Sequence, residues 1–417
     1  GSAPPSSTVS ISPAPSSTAN SAANSGTQKQ EMPFTGWKQF STGHFRFIYE
    51  DASKEIAEGF ASFADDAWNR VLHAYDAPPE MTDVIITGRT GTVNAYAQTL
   101  SHYMGFFTTP PASPVFGYRE HWQRLFFTHE LVHVTHLTIR EPGVLTKTFG
   151  PVMNLGRTFS MPGWYMEGLT TVFETELTSG GRGRSPWFEL TFKAPILENA
   201  FLDFTEIGLE KEPPRGQIYV MGYLVMRSIA DRFGLQALGD IERSCGNGIK
   251  FEESVELVTG FTPEQLFNDA RKALTKKYAQ ERTIPEGIPL VRSSERADRY
   301  RPAFVSEKEI LTIRTDKDSK DAAVRIDPAT GEETVLFEGN FPDEFSLTAA
   351  ENGLIIASLS KTRYQGMPGK TTSADLYVWD DTTGLRQLTS HGGLYQPALS
   401  RTGNKLVAVE LAGPRYR

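Results

Sequence analysis

His129, Glu130 and His133 have the residue types and the spacing needed to activate water on one metal ion. Residues 129–136 read His-Glu-Leu-Val-His-Val-Thr-His. On a helix, positions i and i+4 share one face about 5–6 Å apart, so both histidines can bind the same ion. The glutamate that follows the first ligand can take a proton from a water on that ion. The pattern indicates hydrolysis assisted by one catalytic Zn²⁺.

A third ligand is predicted in the segment that begins Pro162-Gly163-Trp164-Tyr165. After the Pro-Gly break this segment has a helical pattern, and it carries Glu167 among apolar residues. A buried carboxylate is costly unless it is paired or bound to a metal, so Glu167 is the predicted third ligand. Glu174 lies two turns further on, where either a hydrogen bond to a metal ligand or a plain surface position would fit.

The helix predicted to carry the histidines is buried, because Trp122, Leu125, Phe126, Leu131 and Val132 recur at helical spacing. His136 shares the histidine face. It lies about 10 Å along the axis from His129, which is too far for one tetrahedral ion. We expect it to pack or hydrogen-bond behind the ligands.

H-E-x-x-H followed by W-x-x-E-G-x-x-x-x-x-E resembles the gluzincin metallopeptidases, the clan of thermolysin and aminopeptidase N. The resemblance covers roughly residues 37–282 and implies zinc held by His129, His133 and Glu167, with Glu130 as base and proton shuttle. The aminopeptidase branch uses the tyrosine of a Y-x-x-G motif to stabilise the oxyanion. Tyr219-Val-Met-Gly matches that motif, with Tyr223 as the substitute one turn on and simple aromatic packing as the alternative.

The resemblance also places an edge strand beside the metal, at residues 103–109, followed by Pro110-Pro111. Gly105 and Phe106 are therefore candidates for binding an extended peptide through main-chain hydrogen bonds. Aminopeptidases of the clan carry a glutamate in this region to hold the substrate's free amine. This segment has none, which favours internal cleavage.

The expected fold class is an α+β gluzincin-type domain, with a small mixed sheet and a mostly helical part, followed by an incomplete all-β propeller. Residues 1–34 are rich in Ser, Pro and Ala, begin with a Gly-Ser cloning scar and are expected to be disordered. The peptidase domain is predicted at 35–283, and residues 290–417 are predicted to supply about two and a half blades.

Two repeated segments carry the propeller prediction. Tyr300-Arg-Pro-Ala recurs 95 residues later as Tyr395-Gln-Pro-Ala, and Ile326-Asp-Pro-Ala-Thr-Gly recurs as Trp379-Asp-Asp-Thr-Thr-Gly. A period of about 40–50 residues with strand-turn-strand content is typical of propellers, and these blades resemble the TolB-like type. Since closed propellers need at least four blades, we expect a C-terminal fragment or a second chain to complete this one, with truncation or nicking after Arg417.

Composition excludes some partners and suggests a location. A net charge of −8 and a pI near 5.6 argue against nucleic acid. The single cysteine, Cys245, rules out an internal disulfide framework. The N-terminal tract is typical of a spacer after a signal peptide or lipid anchor, which predicts a bacterial exported protein: periplasmic, secreted, or tethered to the envelope or cell surface. The alternative is a flexible cytoplasmic tail.

Three functions follow. The first is a zinc endopeptidase that acts on peptides or proteins, the second an aminopeptidase, and the third a catalytically silent peptidase fold that docks a partner through its propeller. The basic loop Gly180-Gly-Arg-Gly-Arg is expected to be solvated and flexible, or else to select acidic side chains.

Overall fold

The structure, a computed structural model, describes residues 9–10, 36–75, 81–88, 93–98, 103–111, 114–117, 122–138, 161–207, 217–283, 287–291, 297–316, 319–364, 370–412 and 415–416. The predicted disordered segment 1–34 falls almost entirely outside these residues, and residues 284–286, between the two predicted domains, lie outside them as well. Val9 and Ser10 are an exception to the disorder prediction, because they form a short strand, β1 (Val9–Ser10).

A mixed five-stranded sheet opens the N-terminal part. Its strands are β2 (Trp37–Ser41), β3 (Phe45–Glu50), β4 (Thr82–Thr87), β5 (Ala95–Gln98) and β6 (Tyr103–Phe107). The order across the sheet is β2-β3-β4-β6-β5. The three central strands run parallel, and the outer two pair antiparallel with their neighbours. The run predicted as an edge strand, β6, is therefore interior, and the edge next to it is β5.

The described residues contain eight α-helices, the first of which lies between β3 and β4 in the chain. They are α1 (Lys54–Tyr75), α2 (Trp122–Thr138), α3 (Gly163–Leu177), α4 (Pro186–Leu197), α5 (Gln217–Phe233), α6 (Leu235–Gly246), α7 (Phe251–Thr259) and α8 (Pro263–Tyr278). The predicted helices at the H-E-x-x-H motif, after Pro162 and around Tyr219 are thus confirmed. None of the helices described is long and apolar enough to cross a bilayer.

Aromatic packing fixes the sheet against the helices. The ring of Phe106 on β6 lies 4.7 Å from that of Phe60 on α1 and 5.8 Å from that of Phe127 on α2. All three side chains are fully buried. Large aromatic groups removed from water supply much of the stabilising burial, so this cluster holds α2 against the sheet.

The C-terminal part consists of antiparallel sheets. Its strands are β7 (Ala297–Ser306), β8 (Glu309–Asp316), β9 (Ala322–Ile326), β10 (Glu333–Glu338), β11 (Leu347–Ala349), β12 (Ile355–Tyr364), β13 (Lys370–Asp380), β14 (Gly384–Gln387), β15 (Leu394–Leu399), β16 (Lys405–Ala412) and β17 (Arg415–Tyr416). Strands β7–β10 form one four-stranded meander and β11–β14 a second. A third sheet pairs β16 with β15, β1 and β17.

The repeated sequence segments adopt repeated conformations. Arg301 and Gln396, the second residues of the two Tyr-x-Pro-Ala segments, have φ of 50° and 48°. Each lies at a register shift between its strand and the next. In the other repeat, the side chain of Asp327 or Asp380 accepts a hydrogen bond from the backbone N–H two residues on. These shared features support the repeat predicted from the sequence.

Two separate hydrophobic clusters lie among the described residues. One runs from Phe45 to Tyr278 and surrounds α2, α3 and α5. The other lies between the first two C-terminal sheets and contains Leu311, Phe337, Leu359 and Trp379.

Candidate metal centre

Helix α2 presents its histidines from inside the larger core. Phe127, Leu131 and Val132 are almost completely buried around the motif. His129 is 6% exposed, and its ring centroid lies 4.9 Å from that of His133. The i,i+4 spacing therefore brings two imidazoles together in a nearly water-free setting.

Helix α3 brings Glu167 to the same point. Pro162 is extended just before the helix, and its carbonyl accepts the Tyr165 N–H at 3.0 Å. From the next turn, Glu167 Oε2 lies 3.4 Å from His129 Nε2 and 3.5 Å from His133 Nε2.

These distances fit a single zinc ion. Two ligand atoms bound about 2.0–2.1 Å from a tetrahedral zinc lie about 3.3–3.4 Å apart. The Glu167 oxygen is buried and accepts no hydrogen bond of normal geometry, and its nearest partners are the two imidazole nitrogens. A cation between the three atoms would satisfy all of them at once. Among the described residues, His129, His133 and Glu167 are the group whose ligand atoms converge within 4.8 Å.

Glu174 is buried against His129. Of the two positions predicted for it, the surface position is therefore wrong. Glu174 has no exposed area, and its Oε2 lies 2.8 Å from His129 Nδ1. An imidazole whose Nδ1–H donates to a carboxylate presents the Nε2 lone pair to a metal.

The charges of this cluster shift several pKa values. Burial lowers the pKa of His129, but contacts with Glu167 and Glu174 outweigh it and raise that pKa to about 9. Burial raises the pKa of Glu167, and the two imidazoles reverse this and lower it below the ordinary carboxyl value. In this buried cluster each pKa shift therefore reports the charge or hydrogen bond of a neighbour prevailing over the effect of burial.

Glu130 lies beside the ligands. Together with His129 it lines a cavity in the protein. It is 6% exposed, and burial raises its pKa despite the opposing effect of the neighbouring histidines. A carboxylate with a raised pKa accepts a proton more readily near neutral pH.

Tyr219 reaches the site because helices α3 and α5 cross at two glycines. A Cβ on Gly222 would overlap the carbonyl oxygen of Trp164, and a Cβ on Gly168 would overlap the backbone of Gly222. Each of the two motifs, Trp-x-x-Glu-Gly and Tyr-x-x-Gly, thus supplies one glycine of the crossing. Close contact there brings Tyr219, three residues before Gly222, toward Glu167.

Tyr219 and Tyr223 face different surroundings. The Tyr219 ring lies 6.4 Å from the His129 ring and lines the cavity. Burial and the Glu167 carboxylate raise the pKa of Tyr219, which keeps the phenol protonated at neutral pH. Tyr223 instead packs against Phe188, with ring centroids 5.5 Å apart, and is absent from the described lining of the cavity.

His136 lies behind the ligands. Its ring is fully buried, with Nδ1 3.5 Å from Oε2 of Glu242 on α6, which is equally buried. The contact ties the end of α2 to α6, and His136 does not belong to the converging metal group.

Gly105 and Phe106 are not placed to bind substrate, contrary to the expectation from the family layout. The Tyr96 ring of β5 covers Gly105, where a Cβ would overlap it, and Phe106 belongs to the core. The expectation is wrong because β6 is an interior strand and β5 is the edge. The structure puts Val93, Asn94 and Ala95, at the start of β5, on the cavity wall.

Arg182 is the residue that sequence reasoning missed. It lies in the loop predicted to be solvated, yet its side chain is only 14% exposed and its Nη1 donates to Glu174 at 2.7 Å. The glycines around it were the available signal, because Gly181 has a φ of 97° that favours glycine and has Thr175 packed against it.

A cavity of about 400 Å³ opens onto these groups. Its polar lining includes His129, Glu130, Arg182 and Tyr219. Much of the remaining wall is apolar and consists of Val93, Ala95, Val115, Phe116, Phe126, Phe188 and Val220. Convergent polar groups in an apolar cavity are typical of binding sites for organic substrates.

A comparison with protein-family models matched none of them to this chain, and a search of curated proteins found no significant match. The gluzincin and propeller resemblances stay predictions from the motifs.

Proposed function

We propose that the chain is a zinc endopeptidase with a gluzincin-type catalytic unit. The observation that carries this is the convergence of His129, His133 and Glu167 on one point, beside a cavity that also exposes Glu130 and Tyr219. The five side chains come from three helices, so their meeting is a tertiary arrangement beyond a motif on one helix.

His129, His133 and Glu167 would hold a zinc ion at this point, and the bound ion would act as a Lewis acid toward a water and a substrate carbonyl. Glu130 takes the proton from the attacking water and passes it to the departing amine. Its place beside the ligands on the cavity wall suits both steps, because the same carboxylate can reach the attacking water and the departing amine.

Tyr219 donates its phenolic hydrogen to the oxyanion that develops as water adds to the scissile carbonyl. The raised pKa keeps that hydrogen in place at neutral pH. A buried donor aimed at developing charge is worth a few kcal/mol of barrier lowering.

The substrate is an extended polypeptide that pairs with the outer edge of β5. Among the described residues β5 pairs only with β6, so its other edge is open to main-chain hydrogen bonds. The adjoining wall of Phe116, Phe126 and Phe188 favours a bulky apolar side chain beside the scissile bond.

Internal cleavage is favoured over removal of N-terminal residues. The carboxylates on the described cavity wall are Glu130 and Glu174, and the second is already bonded to His129 and Arg182. No further acid in that lining could hold a substrate's free amine.

The C-terminal sheets are proposed to be propeller blades that select or admit substrate. A four-stranded antiparallel meander is the blade topology, and β7–β10 and β11–β14 both have it.

The test is mass-spectrometric sequencing of the products from an unbiased peptide library, using the wild-type protein, Glu130→Gln and the surface control Glu58→Gln. Zinc content is measured for all three by elemental analysis. We expect one zinc per chain throughout, with internal cuts next to bulky apolar residues for the wild type and the control. Glu130→Gln should cut about 10²–10⁴-fold more slowly.

Other outcomes would replace the proposal. Loss of single N-terminal residues would establish an aminopeptidase. Zinc binding with no turnover by the wild-type protein would favour a silent fold that docks a partner, and absence of zinc would remove the catalytic interpretation.

A further inference from the structure

Arg182 clamps the carboxylate that orients the first metal ligand. Its backbone N–H donates to Glu174 Oε1 at 2.8 Å, and its guanidinium Nη1 donates to Glu174 Oε2 at 2.7 Å. Both oxygens of Glu174 are thereby fixed by one residue. Because Glu174 is fully buried, its negative charge requires such a cationic partner.

The Glu174 oxygen that accepts from the guanidinium, Oε2, is also the one that contacts His129. Glu174 Oε2 lies 2.8 Å from His129 Nδ1, and Arg182 Nη1 lies 3.4 Å from the same ring nitrogen. Arg182 donates to both oxygens of the carboxylate, so Glu174 cannot turn away from the imidazole without losing two charge-assisted hydrogen bonds.

The guanidinium also holds the proposed oxyanion donor. Its Cζ lies 4.7 Å from the ring centroid of Tyr219 and 4.8 Å from that of Phe116. A planar cation between two aromatic faces is attracted to both, and this fixes the plane of each ring.

The loop that carries Arg182 is anchored to helix α3. Thr175 Oγ1 accepts the N–H of Gly183 at 3.1 Å, and a Cβ on Gly181 would come within 2.6 Å of the Thr175 backbone. The position of Arg182 is therefore set by the same helix that carries Glu167 and Glu174.

We propose that Arg182 is the positioning residue that couples the metal ligand His129 to the oxyanion donor Tyr219. It acts through Glu174 on one side and by stacking on the other, so that both groups take their working orientation together. The inference rests on the proposed function for the role of Tyr219, whereas the role toward His129 concerns metal binding alone.

The test compares Arg182→Met and Arg182→Lys with Arg184→Met. Arg184 is the matched control, because it lies in the same short turn and its guanidinium donates instead to the carbonyl of Gly180. The readouts are the zinc dissociation constant, the visible spectrum of the cobalt(II)-substituted protein, and kcat and KM at saturating zinc.

For Arg182→Met we expect zinc affinity to fall about 10–100-fold, as is typical when the partner of a ligand is disturbed, with a changed cobalt spectrum. At saturating zinc, kcat should fall with little change in KM. Arg182→Lys should recover much of the zinc affinity but little of kcat, because an ammonium keeps the charge and loses the planar stack. Arg184→Met should match the wild type.

Coupling is measured by double variants. If Arg182 acts through Glu174, Glu174→Gln should weaken zinc binding much less in the Arg182→Met background than in the wild type. If it also acts on Tyr219, Tyr219→Phe should lower kcat less in that background.

Unchanged zinc affinity and kcat in a folded Arg182→Met protein would overturn the inference, and so would full additivity in both cycles. If Arg182→Met does not fold, the same measurements are made on Arg182→Lys and on its double variants with Glu174→Gln and Tyr219→Phe, and the same criteria apply. Zinc binding is measured without turnover, so an inactive wild type would contradict the proposed function while the coupling to His129 was still tested.

Discussion

Glu167 and Glu174 lie about two turns apart on helix α3 and differ in their partners. Glu167 has an oxygen that faces two imidazole nitrogens and accepts no normal hydrogen bond, whereas both oxygens of Glu174 are satisfied. An unsatisfied buried anion calls for a cation, and a satisfied one orients its neighbour. The metal-binding role therefore belongs to Glu167 and the orienting role to Glu174.

Tyr219→Phe tests the oxyanion role at the scale of one atom. Removing the phenolic oxygen should lower kcat about 10²–10³-fold, because a donor to the transition state is lost while the ring still packs on Arg182. KM and zinc affinity should change little. Steady-state kinetics with a peptide cut by the wild type give the result.

Tyr223→Phe is the matched control for that variant. Its ring packs against the side chain of Phe188 and is itself absent from the described cavity lining, so kcat should stay within about twofold of the wild type. Equal losses in the two variants would argue against a special role for Tyr219.

At the scale of elements, the crossing of α3 and α5 decides whether ligand and donor meet. Gly222→Ala should force the helices apart, since the new methyl group would overlap the Trp164 carbonyl. We expect a loss of unfolding free energy of about 1–3 kcal/mol or more, together with a fall in kcat in the fraction that stays folded. Urea unfolding and zinc-saturated kinetics measure the two effects.

Gly163→Ala is the control on α3, because apart from its chain neighbours and the nearby backbone of its own helix no described atom lies within 4 Å of the point that its new methyl group would occupy. It should leave unfolding free energy and kcat nearly unchanged. If Gly222→Ala behaved in the same way, the close crossing would not be required.

A second contact between elements predicts a pH effect on stability. Asp65 on α1 accepts the N–H groups of Gly43 and His44 in the turn between β2 and β3. Burial raises its pKa, but hydrogen bonds from His44, Gly43 and Thr42 outweigh it and lower the pKa in the folded protein. A lowered folded pKa stabilises the fold above the unfolded value of about 3.9, and the effect is lost as pH falls through the folded pKa.

Asp65→Asn should therefore destabilise the protein at pH 7, and the difference from the wild type should shrink as pH falls below the unfolded value and through the lower folded pKa. Since the side chain is 40% exposed, solvent screening limits the effect to about 1 kcal/mol or less. Urea midpoints measured between pH 7 and pH 3 test this, with Glu58→Gln as an exposed control on α1. If the difference in urea midpoint between the wild type and Asp65→Asn grew as pH fell, the predicted direction of the pH effect would be wrong.

At the scale of the whole molecule, the two hydrophobic clusters share no residues, so each can lose its packing separately. Calorimetry should show two unfolding transitions. Leu266→Ala lies in the larger cluster and Leu359→Ala in the smaller one. Each should lower the unfolding free energy of one transition by about 2–5 kcal/mol and leave the other transition unchanged. Added zinc should raise only the transition that Leu266→Ala lowers.

A single transition lowered equally by both variants would mean that the two clusters unfold as one unit. Zinc stabilisation of the transition that Leu359→Ala lowers would place metal binding in the wrong cluster and contradict the proposed site.

The sequence by itself determined the groups that lie close along the chain. His129 and His133 are one helical turn apart, and the helix that carries them was evident from apolar spacing, since helical periodicity is a local property. The glycine and proline positions likewise predicted where α3 begins and where the C-terminal repeats turn.

Only the tertiary structure decided which strand lies at the sheet edge, that Glu174 is buried against His129, and that Arg182 joins Glu174 to Tyr219. Strand order depends on pairing between distant segments, and β5 precedes β6 in the chain while lying outside it in the sheet. Burial of a charge depends on what packs around it from elsewhere in the chain. A glycine-rich loop can be solvated or bound tightly to a helix, and only its packing against Thr175 distinguishes the two.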